Sequence, residues 1–289
     1  MEGFIADTLY DQSMRKRKNS LINTKIIIRV LGILLFVETA MFLLCALVSW
    51  FYEEKETLTF LQTAAINTAV GIVLILLSRG AERKLTKRDG YCIASLSWVL
   101  FSAFGMLPFY LSGSVDSITN AFFETMSGFT TTGATIMDNI DSQPHGILFW
   151  RSLTQWIGGL GIVCFAIAIL PIFNEGNMQL FSAEATGVTH NKLHPKISIM
   201  VKWIWGVYLM LTTSVTLLLY IGGMNWFDAV CHAFATTATG GYSTQKSQCS
   251  LLEFSFHRVC DFVLYDYFQL QLRAVLPDNK RQSIQDVPR

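Results

Sequence analysis

Charge is what this sequence has least of. Only 15% of its 289 residues are Asp, Glu, Lys or Arg, while 52% are hydrophobic. An ordinary soluble domain is about as apolar but carries about a quarter charged residues. Length alone would allow one or two soluble domains, and the missing charge turns the reading toward a single lipid-embedded domain. The net charge of +1 gives no basic surface for nucleic acid. Cysteine pairing is also missing. Cys45, Cys92, Cys164, Cys231, Cys249 and Cys260 are scattered without a CxxC spacing, so neither a zinc site nor a disulfide framework is expected, and the four in apolar runs read as small hydrophobes. No Ser/His/Asp arrangement and no paired carboxylates stand out, so no enzyme is expected. A cleavable signal peptide is not expected either, because the N-terminal charges sit far into the chain and the apolar run after them is too long.

What the chain does have is apolar runs of spanning length, about 20 residues each. Five are predicted: Ile26–Tyr52, Phe60–Ser78, Tyr91–Leu111, Ile147–Leu170 and Ile197–Tyr220. Trp50, Tyr52, Tyr110, Trp150 and Tyr220 stand at run ends, where aromatic rings favour the lipid–water boundary. Basic residues cluster in alternate connections. They are Arg15 to Lys18 with Lys25, then Arg79, Arg83, Lys84, Lys87 and Arg88, then Lys192, Lys196 and Lys202. The intervening loops are poor in Lys and Arg. This asymmetry predicts a cytoplasmic N-terminus and three cytoplasmic basic segments.

Two external stretches are more than connecting loops. SVDSITNAFFETMSGFTTTGATIMDN and NWFDAVCHAFATTATGGYST each hold an apolar segment too short to span, followed by Thr and Gly. Each comes after a helix rising from the cytoplasm, and the recurrence reads as an internal repeat. Such a pattern suits an ion pore. Backbone carbonyls of an extended loop can replace a cation's hydration shell, Gly tolerates the unusual backbone angles, and irregular backbone at membrane depth is allowed where it lines water or is buried in protein. Asn120–Gly128 and Phe227–Ala235 are placed as short helices aiming their negative C-terminal ends at the cation. The bland alternative is two polar external loops. It would not need the apolar segment before each Thr-Gly stretch.

Single residues leave further readings. Glu38, inside the first run, reads either as a functional intramembrane carboxylate or as a group hidden against a neighbouring helix. Glu124 is placed either to hydrogen-bond the loop backbone from behind or as an ordinary residue of the short helix. Arg151 reads as a snorkelling residue near the external face. Gly158, Gly159 and Gly161 lie inside an apolar helix after no strand, so they read as close helix packing, not a dinucleotide loop. His190 and His194 are four apart, but Pro195 and the loop setting argue against a metal pair.

FFETMSGFTTTGAT followed by FWRSLTQWIGGLGIVCFAIAILP resembles the first pore loop and following helix of the TrkH/KtrB family of potassium transporters. GNMQLFSAEATG with KLHPKI resembles the next cytoplasmic loop, and FDAVCHAFATTATGGYST the second pore loop. The resemblance runs from Ile26 to Thr244. It implies an all-α membrane protein built of helix–pore-loop–helix repeats of potassium-channel type, with an extra N-terminal helix pair. The expected organisation is a cytoplasmic segment at 1–24, the extra pair at 25–80, a first repeat at 91–172, a cytoplasmic loop at 173–196, an incomplete second repeat at 197–244 and an atypical tail at 245–289. The resemblance further implies K⁺ as the transported ion, with filter roles at Thr131, Thr132 and Gly133 in the first loop and at Ala238, Thr239 and Gly240 in the second. No covalently bound cofactor is implied. Expected partners are a second copy in a homodimer and a cytoplasmic nucleotide-binding ring of TrkA or KtrA type, with the nucleotide held by that partner, and the expected location is the bacterial inner membrane. Family members carry four such loops and two are present here, so the alternative is a non-conducting fragment or scaffold of such a transporter.

Overall fold

A computed structural model describes residues 23–80, 87–161 and 194–245. The predicted basic cluster at Arg15–Lys18, the connection holding Lys192, and the tail from residue 246 onward lie outside the described residues, as do Cys164, Cys249, Cys260 and His190. The described residues are helical, with no strand among them.

The first two helices, α1 (Thr24–Phe51) and α2 (Glu56–Leu77), form an antiparallel hairpin. Small residues let them meet closely: a Cβ on Gly32 would stand 3.2 Å from the carbonyl oxygen of Gly71. Polar groups also pair across the seam, as suits helices in a medium without competing water. Asn67 donates to the carbonyl of Leu35 at 3.1 Å and to the Glu38 carboxylate at 3.2 Å. Glu38 is thus buried against the partner helix, the second of its two readings.

The third span is two pieces. α3 (Lys87–Gly105) ends at Met106, and α4 (Leu107–Leu111) restarts with a Pro in its first turn, a position where the missing N–H costs nothing. After a turn comes α5 (Ile118–Phe129), too short to span. Helix α6 covers 145–161, and the rest of the predicted fourth run lies outside the described residues. α7 (His194–Ile221) ends at Gly222–Gly223. The second short helix, α8 (Trp226–Thr237), then begins with Asn225 accepting from the Asp228 N–H at 2.8 Å, an N-cap that satisfies an orphan donor.

Among the described residues, four helices or helix pairs are long and apolar enough to cross a membrane: Thr24–Phe51, Glu56–Leu77, Arg88–Leu111 and Lys202–Ile221. Their outward faces are apolar, with Leu44, Leu47, Val73, Met210 and Leu218 exposed. Burying such a surface against lipid, not protein, is what low charge and long runs require. The core sits instead between α1, α2, α5 and α6, around Phe42, Phe60, Phe129 and Trp150. Trp150 corrects an expectation. It is fully buried, packs its ring at a tilt against that of Phe42 with centroids 4.7 Å apart, and donates to the carbonyl of Gly105 at 2.9 Å, so it is a core residue and not a boundary anchor. Trp50, Tyr52, Tyr110 and Tyr220 are exposed, as expected of boundary residues.

Candidate functional site

The two short helices end in the same backbone figure. At the end of α5, Thr130 N–H donates to Met126, Thr131 to Gly128 and Thr132 to Ser127. At the end of α8, Ala238 donates to Phe234, Thr239 to Thr236 and Gly240 to Ala235. Thr131 and Thr239 both take positive φ, +53° and +55°, in a region that a β-branched residue rarely enters. Two residues later Gly133 and Gly241 do the same, at +75° and +81°. The backbone therefore matches Thr131 to Thr239 and Gly133 to Gly241. This is one residue off the match of Gly133 with Gly240 made on letters.

The two loops also touch. A Cβ on Gly133 would overlap the carbonyl oxygen of Gly240, so only glycine lets the first loop approach the second this closely. Gly240 is confined from its other side, where a Cβ would meet the Gln155 carboxamide. Its need for glycine is thus spatial, while the unusual angle falls on Gly241. Thr132, Thr239 and Gly241 are exposed, whereas Ala238 and Gly240 are buried. All six predicted positions thus lie on two adjoining loops.

Behind the loops α6 is a common scaffold. A Cβ on Gly158 would overlap the carbonyl of Phe129, and one on Gly159 would stand 3.0 Å from Ala238. The glycine run is close packing, and what it packs against is the C-terminal end of both short helices. Gln155 accepts from Tyr242 N–H at 3.2 Å. One turn earlier, Arg151 is almost wholly buried. Its Nε donates to Glu124 at 2.7 Å, its Nη1 donates to the carbonyl of Ser243 at 2.9 Å, and its guanidinium lies 3.6 Å above the Tyr242 ring. Snorkelling is therefore excluded for Arg151. Glu124 holds the first loop from behind, accepting from Ile136 N–H at 3.0 Å and from Thr135 Oγ1 at 2.9 Å. Tyr242 Oη donates to the carbonyl of Glu124 at 2.8 Å. Of this group the sequence reading had singled out Glu124 and Arg151 separately, and it missed Gln155 and Tyr242.

A polar cavity of about 350 Å³ lies beside the second loop, lined by Asp141, His145, Asn225, Asp228, Thr244 and Gln245. Asp228 is held there by Thr244 Oγ1 at 2.6 Å and by Gln245 Nε2 at 2.7 Å. Among the described residues no group of His, Cys, Asp and Glu is arranged to hold a metal ion, and Cys45, Cys92 and Cys231 are free thiols.

The family profile described as "TrkH: Cation transport protein" matches residues 56–263. This chain belongs to the TrkH family. Known TrkH proteins align with it over much of its length. The Trk system potassium uptake protein TrkH of Escherichia coli K12 is 41% identical over 223 residues, covering 76% of this chain and 46% of that protein. TrkH of Halomonas elongata is 37% identical, covering 87% and 53%. The crystal structure of the potassium transporter TrkH from Vibrio parahaemolyticus superposes with a TM-score of 0.66 at 35% identity, covering 77% of this chain and 45% of that one. The chain thus spans about half the length of the TrkH proteins it matches. The profile reaches residue 263, beyond Thr244, so the start of the tail also matches the TrkH pattern. The TrkH superposition fits the all-α, multi-span fold expected of the sequence.

Proposed function

We propose that this chain supplies two of the pore loops through which a TrkH-type transporter takes up K⁺. The observation that carries the reading is the pair of matching loop backbones in contact at Gly133 and Gly240. Two loops at the ends of two short helices, each with a positive-φ Thr and a positive-φ Gly two residues on, bring carbonyl oxygens together where both helix dipoles are negative. Carbonyls in such a ring replace the hydration shell of a weakly hydrated cation. In this reading Thr131, Thr132, Gly133, Ala238, Thr239 and Gly240 line the filter, joined by Gly241. Support for K⁺ as the ion comes from relatives named as potassium uptake proteins.

The remaining family expectations are proposals of the same rank. They are a homodimer, a cytoplasmic nucleotide-binding ring as regulator, and residence in the bacterial inner membrane with the N-terminus in the cytoplasm. The basic segments support that orientation. Thiol labelling of Thr57→Cys from outside and of Lys84→Cys only after permeabilisation is the expected result, and the reverse pattern would refute the orientation.

The transport reading is tested in a full-length carrier in which residues 23–245 replace the matching segment of the Escherichia coli relative. Rubidium influx into proteoliposomes should be displaced by external K⁺ and little affected by Na⁺. Equal displacement by both ions, or no influx from a correctly inserted carrier, would remove it.

A further inference from the structure

The two pore loops belong to different repeats, yet the second is tied to the first repeat's helix, through Arg151 and Gln155, as well as to its own Asp228. Arg151, on α6, makes three contacts at once. It pairs with Glu124, which holds Thr135 and Ile136 of the first loop. It donates to the carbonyl of Ser243 in the second loop, and it covers the ring of Tyr242. Tyr242 closes the circuit by donating to the carbonyl of Glu124. One guanidinium thus bridges two loops through separate nitrogens, in an interior where Arg151 and Glu124 are both buried.

We propose that Arg151 is a positioning residue that sets the register of the two loops against each other, so that the first repeat governs the ion preference of the second repeat's loop. This rests on the pore-loop reading above and adds a specificity determinant to it. The argument is geometric. A buried ion pair alone needs only a charge at each end, and replacing such a pair with neutral groups is often tolerated. Bridging Glu124 and the Ser243 carbonyl while standing over the Tyr242 ring needs a fork of separate donors, which arginine has and lysine lacks. Lysine keeps the charge and one contact but cannot keep all three. The Tyr242 hydroxyl is then the remaining tie of the second loop to the Glu124 side, and the Gly133–Gly240 contact that fixes the spacing of their carbonyls relaxes.

The variants Arg151→Lys and the double change Glu124→Gln with Arg151→Gln distinguish this role from simple charge compensation. The double change leaves no unpaired buried charge, so it provides a folded carrier if the lysine variant inserts poorly. Both are made in the same full-length carrier, with Gly133→Ser as reference. Each should retain insertion and a maximal rubidium rate within about threefold, while the K⁺ over Na⁺ preference falls by about tenfold, the size of one lost charge-assisted hydrogen bond. Tyr242→Phe, which keeps the ring under Arg151 and loses only the hydroxyl bond, should lose less. Wild-type preference in both Arg151 variants, with Gly133→Ser impaired, would overturn the positioning role and leave the pore-loop reading standing. Wild-type preference in all of them would overturn the pore-loop reading, and this inference with it.

Discussion

Gly158 and Gly161 lie one turn apart on α6, and alanine should have unequal consequences at the two. At Gly158 the new Cβ would overlap the carbonyl oxygen of Phe129, a backbone atom that cannot step aside. At Gly161, among the described residues, it would meet only the Trp98 ring at an ordinary 3.4 Å. Gly158→Ala should therefore cost about 1–3 kcal/mol, as forced overpacking does, and Gly161→Ala should be neutral within about 0.5 kcal/mol. Thermal unfolding in detergent checks both, and equal midpoints for the two variants would contradict the packing described. The glycine run was legible as close packing, but not its partner, because Phe129 belongs to a different element. Arg151 and Trp150 were misread for a related reason. A residue near the end of an apolar run reads as a boundary residue, yet the groups that bury these two, Glu124, Ser243 and Gly105, are far away in sequence. Burial created by distant partners leaves no local periodicity to read.

Between elements, a carboxylate on one hairpin starts a helix in another unit. Glu54, in the turn between α1 and α2, accepts from the N–H groups of His145 and Gly146 at 2.6 and 3.0 Å and from His145 Nδ1 at 2.9 Å. It caps α6 from outside, and its charge suits the positive end of that helix. The His145 ring lies flat on Tyr52 at 3.9 Å and edge-on to Phe227 of α8 at 4.7 Å. The outer helix pair is thereby joined to both repeats at one point. Glu54→Ala should lower stability by about 1–2 kcal/mol, read as a fall in the detergent unfolding midpoint, while Glu53→Ala on the neighbouring exposed residue serves as a control with no change. Equal behaviour would show that the cap carries no stability. The spans were legible because length and apolarity alone specify them, and the ends that fall among the described residues lie within a few residues of those predicted. The cap was not, since EEKE reads as a charged turn and nothing in it points to a helix ninety residues away.

For the whole molecule, the question is whether two loops that meet in front of a common helix form one face of an ion filter. The repeat was legible in outline: two short apolar segments, each followed by Thr and Gly, became α5 and α8 with their loops. Its register was not. Matching letters aligns Thr132-Gly133 with Thr239-Gly240, whereas hydrogen bonding and positive φ align Gly133 with Gly241, because backbone angles follow from the helix end and not from the order of residue types. Gly133 and Gly240 are the positions where the two loops touch, so they test the central claim most directly. Gly133→Ser and Gly240→Ser each add a side chain where the other loop or Gln155 already stands, and each should push the carbonyls out of place. Measured as rubidium flux with K⁺ and Na⁺ competition in the full-length carrier, both variants should insert normally and show either a K⁺/Na⁺ preference reduced by about tenfold or more, or no uptake, as expected when filter carbonyls are displaced. Flux and preference equal to those of the unmodified carrier in both variants would contradict the account.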